Sequence, residues 1–289
     1  MNGSTSSNAV LDFFSFLRRP SAERIVASLR SKLGVVGIII ALDILFGFVG
    51  NLLSSALEGL VGLQPEHVTE TELESELMFF MRTIGILVIP FIEEVGFRLW
   101  LAPNLLFLFI SFAVVTIQFA PVPFASLLKN AGLEAIAPGV KIGFYLLLGA
   151  AIVLFFWLRE RKGHRYADFF NRHVGFYFYL SVIAFGLVHL TNYTDAGPWW
   201  YGPILVLPQL VGGLAFGYLR IRLGFWYAVL AHMLANLIYT LGDGMNALFG
   251  EVGGVVWLAL MLITAGVAVG LTLRRKPTSP QRISPQVDH

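Results

Sequence analysis

The sequence predicts an all-α, polytopic membrane helical bundle of about eight transmembrane helices with both termini cytoplasmic. Three observations lead there. First, 56% of the 289 residues are hydrophobic and only 13% are charged, about half the ~25% charge of soluble domains. A soluble globule cannot hide that much apolar surface, and the same inventory excludes a disordered chain, a nucleic-acid-binding domain and, with no cysteine, a disulfide-stapled secreted scaffold. Second, apolar runs long enough to span a bilayer, about 20 residues, recur at 33–57, 77–101, 104–126, 140–158, 174–192, 201–219, 223–241 and 254–273. Third, the basic residues are sorted. With eight spans, 17 of the 20 Lys and Arg fall on the side of the two termini, leaving Arg82, Lys129 and Lys141. Lys and Arg mark the cytoplasmic side.

Residues 1–32 form a Ser-rich, then basic and amphipathic segment with no signal peptide. It reads either as a short surface helix over Asp12 to Leu29 with its apolar side toward lipid, or as a partly disordered tail. Residues 33–273 form the transmembrane domain. The loop from Arg159 to Arg165 is basic, and the loop carrying Glu58, Glu66, Glu70, Glu72, Glu74 and Glu76 is acidic and lies on the opposite side. Trp199, Trp200 and Tyr201 read as an outer aromatic belt, and Gly212, Gly213 and Gly217 as a place where helices approach closely. The tail 274–289 is Pro- and Ser-rich and reads as disordered and cytoplasmic. No internal repeat of the transporter kind is visible.

An ionisable side chain inside a span costs about 2.5–3.5 kcal/mol at the helix centre, so each is a candidate for function or for a structural pair. Glu93-Glu94-Val95-Gly96-Phe97-Arg98 follows Pro90 in the second run. Glu94 and Arg98 are i, i+4, in the favourable order for an ion pair. Glu93 points about 100° away with no local partner, and a desolvated carboxyl suits a general base. Catalysis, or a structural ion pair beside a protonated glutamate, both fit. Phe185 to His189 lies in the fifth run, and His232 and Asn236 share one helix face in the seventh. A base, an imidazole and neutral donors are what water activation beside an oxyanion requires. Glu93, His189 and His232 could equally hold Zn²⁺ with a water in the open position. Asp43 in the first span is read as more often a structural partner than a site; Gln118 and Lys129 as a helix end; His67, His164 and His173 as solvated.

Taken together, Glu93-Glu94-x-x-x-Arg98, Phe185-x-x-x-His189 and His232-x-x-x-Asn236, with Gly217-Tyr218-Leu219-Arg220 and Phe225-Trp226 leading to the last, resemble the CAAX-protease and bacteriocin-processing family of intramembrane proteases, which includes the CAAX prenyl endopeptidases. The resemblance covers about residues 77–240. It implies a helical membrane fold with its site in a cavity open to the cytosol. It implies that Glu93 activates water with help from His189 and that His232 and Asn236 stabilise the oxyanion, with Glu94, Arg98 and Phe185 in support. It implies a membrane-anchored or prenylated substrate. The metal-free scheme is favoured, and no cofactor is assigned.

Two features depart from the family pattern. The 91-residue gap from Arg98 to His189 exceeds that usual in bacterial members and holds two additional spans. At about 1.5 Å per residue, Glu93 and His232 fall near the midplane, whereas His189 falls roughly 10 Å nearer the outer face. A proton-coupled carrier using the same residues as a relay, or a silent relative acting on a membrane partner as a chaperone or immunity factor, remain as alternatives. The carrier does not require the His232/Asn236 pair, and the complete motifs argue against the silent relative.

Overall fold

A computed structural model describes residues 8–63, 65–67, 75–119, 137–195, 198 and 200–274. Its elements in order are α1 (Ala9–Arg18), α2 (Leu29–Val61), β1 (Glu66–His67), α3 (Ser75–Phe97), α4 (Leu105–Phe119), α5 (Ala137–Arg172), α6 (Val174–Val188), a 3₁₀ turn (His189–Asn192), β2 (Tyr193–Asp195), α7 (Gly202–Leu205), α8 (Leu207–Arg222) and α9 (Phe225–Arg274). Among the described residues the regular structure is helical except for one antiparallel ladder in which Glu66 faces Asp195 and His67 faces Tyr193. Among the described residues, three helical stretches are long and apolar enough to cross a membrane: Leu29–Val61, Val174–Asn192 and Phe225–Arg274. Leu105–Ile117 and Leu146–Arg159 are shorter apolar helices. The expectations placed on the side chains of Gln118, Lys129, Trp199, His67 and His164, on most of the acidic loop after Glu58 and on the tail from Arg275 lie outside the described residues.

Among the described residues, the apolar runs of the sequence lie mainly on helix, and two helix ends show why the elements stop where they do. Gly62 closes α2 in the left-handed region (φ 71°), its N–H bonding the Glu58 carbonyl, a conformation cheap only for glycine. Gly250 interrupts α9 with φ 64° and ψ −164°, a region glycine alone adopts readily. The chain reverses there. Trp257 Nε1 donates to the Ile238 carbonyl at 3.1 Å, although nineteen residues on a straight helix would separate them by about 28 Å. The two arms of α9 therefore form a hairpin, matching the last two apolar runs.

The centre is built on α2, α6, α8 and α9. The glycines of α8 let it lie against α6: a Cβ at Gly217 would sit 2.8 Å from a Phe178 ring carbon, and one at Gly213 would meet the Val182 Cα at 3.3 Å. The close approach expected of these glycines is thus α8 on α6. Vertical register between α6 and α3 is set by Ser181 Oγ donating to the Phe97 carbonyl at 2.5 Å.

Two expectations are corrected. The N-terminal helix is shorter than the sequence pattern suggested, Ala9–Arg18, and residues 20–28 are not helical. Its apolar face turns inward rather than toward lipid: Phe13 and Phe16 are buried and edge-on to Tyr218, and Phe16 also meets Phe178. The helix is pinned by Asp12, which pairs with Arg222 at 2.9 Å and accepts from the Tyr218 hydroxyl at 2.7 Å. Asn8 caps it and also donates to the Thr272 carbonyl at 2.7 Å. Tyr201 is no belt residue. It is fully buried and hydrogen-bonded to Glu58 at 2.5 Å and to Ser54 at 2.7 Å, because a buried phenol needs partners and α2 supplies them.

Candidate active site

Four elements deliver the site. α3 brings Glu93 and Glu94 in its last turn, one turn after Pro90, and Arg98 in the bend that follows. α6 brings Phe185, and His189 opens the 3₁₀ turn at its end. The first arm of α9 brings His232 and Asn236. α8 closes the group from the side with Phe216, whose ring stacks on His232 at 4.6 Å.

Glu94 and Arg98 pair at 3.5 Å, and both are fully buried, as the i, i+4 spacing leads one to expect. Glu94 has a second partner that spacing does not reveal, His232 Nδ1 at 3.0 Å. Arg98 lays its guanidinium 3.6 Å from the centre of the Phe185 ring, a cation–π contact that replaces water on that face. Arg220 of α8 donates to the Arg98 and Leu99 carbonyls at 2.9 and 3.0 Å. It thereby satisfies the Leu99 carbonyl and adds a second donor to the Arg98 carbonyl, which already accepts from the Leu101 N–H at 3.0 Å.

Glu93, without a partner in its own helix, finds two from elsewhere. Its carboxylate lies 3.9 Å from His189 Nε2 and 3.5 Å from His232 Nε2. Helix rise counted from a shared contact leaves His189 about 6 Å from the level of Glu93, less than the upright-helix figure. From the Ser181–Phe97 hydrogen bond, His189 is eight residues on, about 12 Å, and Glu93 four residues back, about 6 Å. The two side chains reach across the remainder.

The proton inventory is legible from partners. His189 Nδ1 meets the Phe185 carbonyl at 2.7 Å. A carbonyl only accepts, so Nδ1 carries the hydrogen and Nε2 of the neutral ring is an acceptor facing Glu93. His232 presents both ring nitrogens to carboxylates, Glu94 on one side and Glu93 on the other. It can donate to both only as the imidazolium.

His189, His232 and Asn236 line a cavity of about 360 Å³, together with Asp43 and Asn51 from α2, Gln209 and Phe216 from α8, and Tyr239 from α9. Glu93 is not in its wall and reaches it through the two imidazoles. Asp43, read from sequence mainly as a structural partner, is buried and lines this cavity. Asn51, Gln209 and Tyr239 carried no motif; an Asn and an Asp in one apolar run were the available signal. Among the described residues, no three His, Asp or Glu side chains have the spacing of a metal centre.

Residues 164–238, about a quarter of the chain, match the family described as type II CAAX prenyl endopeptidase Rce1-like. The match is to the CAAX-protease family that the motifs resemble. It contains Phe185, His189, His232 and Asn236 but ends well short of Glu93, Glu94 and Arg98, which the fold brings to it. No curated protein and no solved structure matches the chain.

Proposed function

We propose, from the premise that this chain carries an Rce1-like segment of the type II CAAX prenyl endopeptidase family, that it is an intramembrane endopeptidase cutting a membrane-anchored or prenylated substrate. The observation that carries the reading is the facing pair of proton acceptors, Glu93 Oε1 and His189 Nε2, 3.9 Å apart. Two acceptors so placed take the two hydrogens of one water and leave its lone pair free to attack. The water oxygen bonds to the peptide carbonyl carbon while Glu93 takes its proton. The oxyanion formed is stabilised by N–H donors on His232 and Asn236. The C–N bond then breaks as Glu93 returns the proton to the leaving amine, giving a carboxylic acid and a free amine. Glu94, Arg98 and Phe185 hold His232 and the end of α3 in place.

The eight crossings, the cytoplasmic termini and the division into a segment 1–32, a membrane domain 33–273 with its core at 77–240, and a tail 274–289 belong to the same reading. The sorting of the basic residues supports them. The resemblance also implies access from the cytosol.

The test is cleavage of a prenylated CAAX peptide and of membrane-anchored peptides by the purified protein, with bound zinc measured in the same sample. Cleavage that disappears in Glu93→Gln, in a sample without zinc, is the expected result. Wild-type cleavage by Glu93→Gln removes the glutamate mechanism, and stoichiometric zinc removes the metal-free form of it.

A further inference from the structure

We infer that Asp43 takes part in the proposed cleavage by accepting a hydrogen bond from the N–H of the scissile amide. The inference rests on the reading of the site as a protease and names the group that holds the leaving nitrogen.

Asp43 is the one ionisable side chain of α2 between Lys32 and Glu58. It sits in the middle of an apolar helix and is only 5% exposed, a place where a carboxyl is expensive and is kept for a pair or for function. Among the described residues it forms no ion pair and no hydrogen bond. Its surroundings explain why. Its Oδ1 lies 3.5 Å from where a Cβ would stand on Gly212 of α8, so the glycine leaves room for the carboxyl without offering it a side-chain donor. Phe216, one turn on in α8, is apolar and stacks on His232. What Asp43 does share is the cavity lined by His189, His232 and Asn236.

The charges of the site close without it. Glu93 and Glu94 are two carboxylates, and Arg98 with the His232 imidazolium supplies two cations. Asp43 feels the charge of His232, but both ring nitrogens of that histidine are already turned to the glutamates. A buried acceptor left over once the protein's own donors are matched is satisfied when a ligand brings a donor. Gln209 Oε1 in the same wall is also buried without a partner.

The chemistry says which donor Asp43 takes. In the proposed reaction the oxyanion goes to His232 and Asn236 on α9, and the oxygen from water goes to Glu93 on α3 and His189 after α6. The substrate N–H is the remaining polar group at the reacting carbon, and α2 is the remaining wall. The contact matters most in the transition state. As the carbonyl carbon becomes tetrahedral, the nitrogen leaves the amide plane, and holding its hydrogen fixes where its new lone pair points. Glu93 delivers its proton to that lone pair and the C–N bond breaks. The free amine departs from Asp43, which neither gains nor loses a proton in the sequence.

The test sets an amide against its ester. Of the prenylated CAAX and membrane-anchored peptides, the one the wild type cleaves best is made again with oxygen in place of the scissile N–H. The kcat/KM for both is measured with the full-chain wild type, Asp43→Ala and Asp43→Asn. An ester has no hydrogen for Asp43 to accept. Asp43→Ala should therefore lose about 10–10²-fold on the amide and little on the ester, and the amide-to-ester ratio should fall by that factor. Both rates are read on one preparation, so a partly folded variant lowers them alike and leaves the ratio unmoved. Asp43→Asn keeps the size and an accepting oxygen; it stands in if the alanine variant does not fold, and it should lower the ratio less. A ratio at the wild-type value in the variants that fold overturns the inference. Asp43→Asn as low as Asp43→Ala overturns it too, since Asp43 would then give a proton to the nitrogen rather than accept its hydrogen. Wild type that cleaves no peptide refutes the protease reading and this inference with it, whereas wild type that cleaves both substrates at a ratio shared by the variants refutes the role of Asp43 alone.

Discussion

Glu93 and Glu94 are neighbours with separate work, and the difference is one of partners. Glu93 touches two imidazoles whose nitrogens face the cavity region, whereas Glu94 is sealed between Arg98 and the far side of His232. Substitution should separate them. Glu93→Gln keeps the shape and removes the proton acceptor, so cleavage should fall by about 10²–10⁴-fold with the thermal midpoint in detergent unchanged. Asn236→Ala should lose about 10²–10³-fold if it is an oxyanion donor, seen as a fall in kcat at constant KM. Arg98→Ala acts differently. It strands a buried carboxylate beside His232, and breaking a buried pair costs about 3–5 kcal/mol. The unfolding midpoint should drop accordingly, and the double change Glu94→Gln with Arg98→Met should recover much of that loss because no uncompensated charge remains. If Arg98→Ala is stable but inactive, Arg98 belongs to the chemistry rather than to the scaffold.

Between elements, the site depends on the seam of α6 and α8. His189 sits at the end of α6, and α6 is held at its depth by Gly213 and Gly217 on one side and by the Ser181–Phe97 hydrogen bond on the other. A methyl at Gly213 would press on the Val182 Cα and carbonyl, which as backbone cannot step aside. Gly213→Ala should therefore cost about 1–3 kcal/mol by overpacking and lower cleavage further by shifting His189 from Glu93. Gly34→Ala in α2, with nothing near its Cβ position, is the control and should leave stability equal or higher, since Ala is the better helix former. This seam also marks where the sequence stopped being legible. The Glu94–Arg98 pair and the shared face of His232 and Asn236 lie within one helix, so periodicity reveals them. Glu93's partners come from α6 and α9, and helix periodicity carries no information on how two helices slide past each other. That sliding is set by glycine contacts and one serine hydroxyl, which have no signature along the chain. Tyr201 was misread for the same reason: the Glu58 and Ser54 that bury it lie far away in α2.

Across the whole molecule, composition turned into position. On the eight-span reading 17 of the 20 basic residues gather at one end, and α1 packs beside Arg222 and Tyr218 there. Its sequence is amphipathic, and an apolar face serves equally against lipid or against protein, so the pattern alone could not choose. The packing of Phe13 and Phe16 under Tyr218 and Phe178 decides for protein. Because Phe16 is almost completely buried, Phe16→Ala should cost about 3–5 kcal/mol, the range for emptying a large aromatic site. A helix resting on lipid would give almost no change, since a removed ring would be replaced by acyl chains. Asp12→Asn should cost less, because Arg222 keeps the Glu23 carbonyl as an acceptor at 2.9 Å and the Tyr218 hydroxyl keeps an oxygen to donate to. Unfolding of the three proteins in the same detergent ranks them. The order Phe16→Ala below Asp12→Asn below wild type makes α1 part of the folded domain, whereas equal midpoints would return it to the membrane surface.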